Sequence, residues 1–143
     1  MIDVNTPIAR FLESFSEISR SGDIPAILAQ FADPFLAGGQ QRTNCVRATD
    51  FAAALPKRKQ LFDSLGCQST SLVSVEEIPL DARYILAKTR WRMEIARPGN
   101  LTHEIFGDTT YLVDTAENPF KILLYLANND FIQELKRQGI LNE

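Results

Sequence analysis

Residues 84–113 read YILAKTRWRMEIARPGNLTHEIFGDTTYLV, and the reading of this stretch decides the fold. Two runs rich in β-branched and aromatic residues flank Pro98-Gly99-Asn100, a tripeptide with turn chemistry. The segment therefore predicts a long antiparallel hairpin. Close pairing admits two registers, with Trp91 opposite either Phe106 or Gly107. The Gly107 register gathers Ile85, Ala87, Trp91, Met93 and Ile95 beside His103, Ile105, Thr109, Tyr111 and Val113 on one face. It sets Arg90 opposite Asp108, and Arg92 diagonal to Glu104, on the other face. The Phe106 register moves Glu104 and Asp108 onto the Trp91 face. A one-residue slip exchanges the faces, and each cross-strand opposite-charge pair contributes roughly 0.2–1 kcal/mol. The Gly107 register is the expectation.

Working outward, Ser69 to Glu77 and Phe120 to Asn128 also read as strands, joined to the hairpin through Pro79-Leu80-Asp81 and Glu117-Asn118-Pro119. With Tyr84 to Ile95 and Thr102 to Asp114 they form a meander. The first half has helical period instead. Thr6 is an N-cap with Pro7 at the first helical position, and Ile8, Phe11, Leu12, Phe15 and Ile18 share a face up to Ser21-Gly22. Asp23 caps a short second helix with Ile24, Ile27, Leu28 and Phe31 on one side and Pro34 beyond its end. A Gly38-Gly39 break and a short strand around Cys45 to Ala48 follow. Thr49 or Asp50 then caps a third helical region to Leu65, with Gly66 as its stop. Pro56 inside it predicts a kink or two abutting short helices. A last helix, Asp130 to Gln138, carries Phe131, Ile132 and Leu135 and closes at Gly139. Helices followed by an antiparallel meander define an α+β fold with the helices on one face of the sheet.

Composition bounds the function. The chain has 143 residues, 45% of them hydrophobic, which predicts one domain, 1–143. A net charge of −3 points away from a nucleic-acid binder. The longest unbroken apolar run, Ile122 to Ala127, is far short of the roughly 20 residues a membrane helix needs. Cys45 and Cys67 stand apart with no CxxC, and His103 is the single histidine, so no zinc spacing exists and no metal or other cofactor is expected. Without a signal-like N-terminus, two reduced thiols predict a cytoplasmic location. No GxSxG, HExxH or phosphate-cradling glycine motif occurs. Lys88, Arg90 and Arg92 form a cationic stripe that Glu76, Glu77, Glu104 and Asp108 can neutralise, and Lys57-Arg58-Lys59 reads as a solvated helix face.

The order of the pieces resembles the nuclear transport factor 2-like superfamily, the α+β cone shared with SnoaL-like polyketide cyclases and ketosteroid isomerases. The resemblance rests on Phe11-Leu12, on Asp23-Ile24 leading to Leu28-Ala29-Gln30-Phe31-Ala32-Asp33-Pro34, on Thr110-Tyr111-Leu112-Val113 and on Lys121-Ile122-Leu123-Leu124-Tyr125. The closing helix, ending Gly139-Ile140-Leu141, is similar to uncharacterised bacterial members of that superfamily. The resemblance implies a cystatin-like cone: a curved antiparallel sheet wrapped around the N-terminal helices, with a short C-terminal helix. It also implies an internal pocket and a homodimer through the outer sheet face.

The family's chemistry transfers position by position. The aspartate base of ketosteroid isomerases falls near Gly38 or Gly39, and their helix tyrosine near Phe11 or Phe15, so steroid-type isomerisation is disfavoured. His103 with Tyr111 resembles the polar set of scytalone dehydratase. Arg90 with Asp108 supplies two members of the Asp-Arg-Asp set of limonene epoxide hydrolases, although the Gly107 register places that pair outside. The catalytic candidates are thus His103, Tyr111 and Asp108. The ligand-binding candidates are Phe15, Phe31, Phe35, Trp91, Met93 and Tyr111, large side chains suited to a small hydrophobic molecule. Three readings remain open: a binding module for such a molecule, a cofactor-free cyclase, dehydratase or isomerase moving protons through His103 or Tyr111, and a dimeric interaction protein with a filled cone.

Overall fold

The computed structural model describes residues 6–39, 41–127, 135–137 and 139. Helix α1 (Pro7–Ser21) starts where its sequence says it must: Thr6 Oγ1 accepts from the Ala9 amide at 3.1 Å, and Gly22 ends the helix at φ 77°. Helix α2 (Ile24–Leu28) is capped by Asp23, whose carboxylate accepts from the Ala26 amide at 3.2 Å. Strands β1 (Phe31–Gly38) and β2 (Thr43–Val46) follow, then helix α3 (Ala48–Ser64). The long strands β3 (Cys67–Pro79), β4 (Tyr84–Arg97), β5 (Leu101–Asp114) and β6 (Lys121–Ala127) complete a six-stranded sheet in the order β2-β1-β6-β5-β4-β3. Among the described residues only β1 and β6 pair in parallel. This is an α+β architecture in which a curved sheet covers the N-terminal helices.

The hairpin takes the Gly107 register. Trp91 lies opposite Gly107 and Arg90 opposite Asp108, in an unbroken pairing from Tyr84↔Asp114 to Arg97↔Leu101. Gly99 and Asn100 adopt left-handed conformations, φ 81° and 59°, that let the chain reverse in three residues. Charge separation is as the register demands. Arg90 meets Asp108 at 3.2 Å and Arg92 meets Glu104 at 3.2 Å on one face, while Ala87, Trp91, Ile95, Ile105, Tyr111 and Val113 are buried on the other.

Several sequence expectations are corrected. Phe31 does not continue α2; it opens β1, because Phe31 pairs with Ile122 and the Ile122 amide donates to the Gln30 carbonyl at 2.8 Å. Its spacing suits a helix face equally well, and only the distant β6 decides between them. Neither Thr49 nor Asp50 caps α3. The helix begins one residue after Arg47, and the Ala48 amide is satisfied by the Asp33 carboxylate at 3.0 Å, a cap supplied from β1. Helix α3 also carries through Pro56 as one helix instead of two abutting ones. Proline deletes a single ladder bond there, and its exposed position leaves the freed carbonyl within reach of water. The predicted helix from Asp130 lies largely outside the described residues; Leu135–Arg137 are helical, and Gly139 has φ 75°.

The core has two parts. One joins Ile8, Phe11, Leu12 and Ile27 of the helices to Phe31, Phe35, Trp91, Tyr111, Val113 and Ile122 of the sheet. The other gathers Met93, Ile95 and Ile105 around Leu135. Among the described residues no helix is long and apolar enough to cross a membrane.

One ion pair locks the far end of the meander. Arg83 donates twice to Asp114, at 2.8 and 2.7 Å, and the Asp114 side chain is buried while Arg83 is half-exposed. These hydrogen bonds from Arg83 hold the Asp114 carboxyl below its ordinary value. A carboxylate lowered in the folded state stabilises above its unfolded pKa, about 3.9, and that stability is lost as pH falls through the lower folded value. Asp114→Asn is therefore expected to lower the urea midpoint at pH 7, and the gap from wild type should shrink steadily as the pH is taken from 5 towards 2. A gap independent of pH would show that the pair contributes nothing through ionisation.

Candidate functional site

Under the sheet, the inward side chains of β1, β3, β4, β5 and β6 and the facing sides of α1, α2 and α3 do not close completely. They leave a chamber of about 820 Å³, within the range that small-molecule sites occupy. Its walls are aromatic. Phe31, Phe35 and Phe51 meet at ring-centroid distances of 4.5, 4.9 and 5.0 Å. Phe15 bridges this group to the opposite wall, lying 5.6 Å from Phe31 and 6.0 Å from Tyr111, which in turn contacts Tyr125 at 5.6 Å. All of these contacts except Phe31–Phe35 are edge-on, a geometry that favours fixed ring planes.

One polar group of the wall is tied into the sheet. The Trp91 indole N–H donates to Thr89 Oγ1 at 2.9 Å, and that hydroxyl donates to the Thr109 carbonyl at 2.7 Å. The indole is thereby tethered edgewise to the sheet. Burial pushes the Tyr111 phenol far above its usual value, opposed more weakly by Arg58, Trp91 and Thr109. A phenol held neutral can donate a hydrogen bond to a guest but cannot serve as a base near neutral pH. Burial likewise raises the Cys67 thiol, so this wall residue stays protonated and is a poor nucleophile.

The sequence candidates separate by position along the strands and by face. Phe15, Phe31, Phe35, Trp91, Met93 and Tyr111 all line the chamber. His103 is partly buried on β5, opposite Ile95 near the hairpin end, and does not border it. Asp108 faces the other way. It pairs with Arg90 and lines, with Ser74, Glu76 and Lys88, a depression of about 380 Å³ on the outer face. The position compared with the isomerase base is also resolved. A Cβ on Gly38 would lie 2.7 Å from the Leu126 side chain, whereas the neighbouring Ala37 lines the chamber. No proton acceptor occupies the inward position at this end of β1.

Several wall residues escaped the sequence reading. Phe51 and Leu55 are four apart on α3, a spacing that was legible, and Tyr125 could be inferred from its pairing with Tyr111. Arg58 and Lys59 had no such signal; read as a solvated helix face, they border the chamber instead. Among the described residues, no three His, Cys, Asp or Glu side chains come together to hold a metal ion.

Comparison with solved structures settles the architecture. An NTF2-like protein with a cystatin-like fold from Novosphingobium aromaticivorans matches with a TM-score of 0.70, covering 95% of this chain and 87% of that one at 10% identity. The fold is NTF2-like. The beta subunit of benzoate 1,2-dioxygenase from Burkholderia mallei shares it at TM-score 0.69 and 16% identity, covering 90% and 91% of the two chains. So does an NTF2-like protein of unknown function from Shewanella oneidensis, at TM-score 0.65 and 17% identity over 86% and 97%. No protein-family model and no curated protein matches the sequence. Identities this low carry the NTF2-like cone across and leave its chemistry to the residues of this chain.

The buried phenol gives a direct check on the site. The chain has three tyrosines, Tyr84, Tyr111 and Tyr125. In an ultraviolet titration of the folded protein, Tyr111→Phe is expected to leave the phenolate signal below pH 11 unchanged. In urea the same substitution should remove one tyrosine's share of it. A loss of signal in the folded protein near pH 10 would place the Tyr111 hydroxyl in contact with solvent.

Proposed function

We propose that this protein binds a small hydrophobic molecule in the chamber beneath its sheet. The observation that carries the reading is the chamber itself, about 820 Å³ of space walled largely by interlocked aromatic rings, with the Trp91 indole N–H tied to the sheet. Burying an apolar guest there removes its surface from water at roughly 25 cal/mol per Å², with little reorganisation of the walls. Proton-transfer catalysis finds less support. Tyr111 is held neutral, Asp63 at the rim is paired with Lys59 at 3.1 Å, and His103 lies outside the lining. A filled cone, the interaction-protein reading, is disfavoured by the same volume.

Calorimetric titration with the neutral probe 2-naphthylacetamide tests this. Saturable binding at one site is expected for wild type, and Ala37→Phe, which adds a ring to the chamber wall, should weaken it at least tenfold while the circular dichroism stays native. Binding unaffected by Ala37→Phe, or no binding at all, would refute the chamber as a ligand site.

A second reading concerns the outer face, where we propose that two copies pair. The strand registers align Ile78, Leu86, Leu112, Leu124 and Leu36 in one aliphatic row running across β3, β4, β5, β6 and β1. Ile78 and Leu36 remain 36% and 45% exposed. Oppositely charged pairs such as Arg90–Asp108 flank the row, as a self-complementary two-fold interface requires. Wild type is expected to sediment as a dimer and Leu112→Lys as a folded monomer. A monomeric wild type would remove this reading without touching the first.

A further inference from the structure

The rim of the chamber has a different chemistry from its walls. Arg20, in the last turn of α1, and Arg58 and Lys59, on α3, all border the opening. The end of α1 and the middle of α3 approach closely here: a Cβ on Gly22 would lie 2.9 Å from the Lys59 side chain. Lys59 is engaged by Asp63, the one carboxylate on the lining. Among the described residues, neither Arg20 nor Arg58 makes an ion pair. Arg58 instead lies over the Phe62 ring, 5.6 Å from its centroid. That contact places the guanidinium itself over the face of a lining ring, on a side chain that is still exposed to solvent.

On the outer sheet face Arg90 and Arg92 are each matched to a carboxylate. The unmatched Arg20 and Arg58 instead border an apolar chamber. A deep aromatic space with an arginine rim suits a guest with two ends: rings that pack against Trp91 and Phe35, and a carboxylate that remains at the mouth. Guanidinium is suited to that head group because its fork presents paired donors to two coplanar oxygens.

Resting on the chamber as a ligand site, we propose that its natural guest is a hydrophobic carboxylate, seated rings-first with its carboxylate held by Arg20 and Arg58. The carboxylate then completes the charge balance of the rim, and desolvation of the rings supplies most of the affinity. Neutral molecules of the same shape enter but are held less firmly. A cationic guest is repelled at the mouth.

The discriminating experiment compares 2-naphthylacetate with 2-naphthylacetamide, probes of nearly equal shape that differ in charge, by calorimetry at pH 7. Wild type is expected to bind the acetate about five- to tenfold more tightly, as a partly exposed charged hydrogen bond allows. The double variant Arg20→Gln/Arg58→Gln should erase that preference by weakening the acetate more than the amide. Both side chains are exposed, so the variant is expected to fold, and its thermal midpoint checks this. Equal binding of acetate and amide by wild type would overturn the carboxylate proposal and leave the chamber reading standing. So would a preference that survives in the double variant. Failure of both probes to bind would overturn the two together.

Discussion

Everything in this structure depends on the fourteen-residue pairing of β4 with β5. That pairing fixes which side chains of the two longest strands face the helices. A slip of one position would carry Glu104 and Asp108 under the sheet and expose the row that now contains Ile105, Tyr111 and Val113. The cost of burying two unpaired carboxylates is several kcal/mol or more, far beyond what any local contact returns. The turn at Gly99 and Asn100 and the charge pairs Arg90–Asp108 and Arg92–Glu104 act together to prevent it. Register, core and chamber are therefore one decision.

From that decision the chamber follows. Trp91, Met93 and Tyr111 present their rings and thioether inward at alternate positions, and β1 and β6 continue the same wall with Phe35 and Tyr125. Helix α1 packs Phe11 and Leu12 into the core but turns Phe15 towards open space, so it supports the sheet without filling the cavity. Helix α3 has no fully buried residue. It lies over the opening as a cover whose apolar side, Phe51 and Leu55, completes the aromatic lining and whose basic side forms the rim. A helix so placed borders the chamber more than it fills the core.

The contrast with ketosteroid isomerases follows from the same geometry. The cone is shared; the acid is not. Ala37 occupies the inward position at the end of β1, and Gly38 is pressed against Leu126 from the other side. Tyr111, the one inward hydroxyl among the sequence candidates, is held neutral by burial. The residues present suit the proposed role, in which they surround an apolar body and meet a charge at the mouth.

The sequence by itself determined the class of fold, the caps of α1 and α2 and the hairpin register. Each of these is written in local spacing, in a cap residue or in the pattern of charge between two strands joined by three residues. Tertiary structure alone decided the rest. Phe31 became strand because β6, ninety residues later, offered it a parallel partner, and Ala48 found its cap in Asp33. Arg58 moved from an ordinary helix face to the rim of a site because of where α3 comes to lie. His103 and Asp108 fell away from the chamber because one stands near the hairpin end and the other faces outward. Such outcomes depend on contacts between residues far apart in the chain, and no spacing within a segment encodes them.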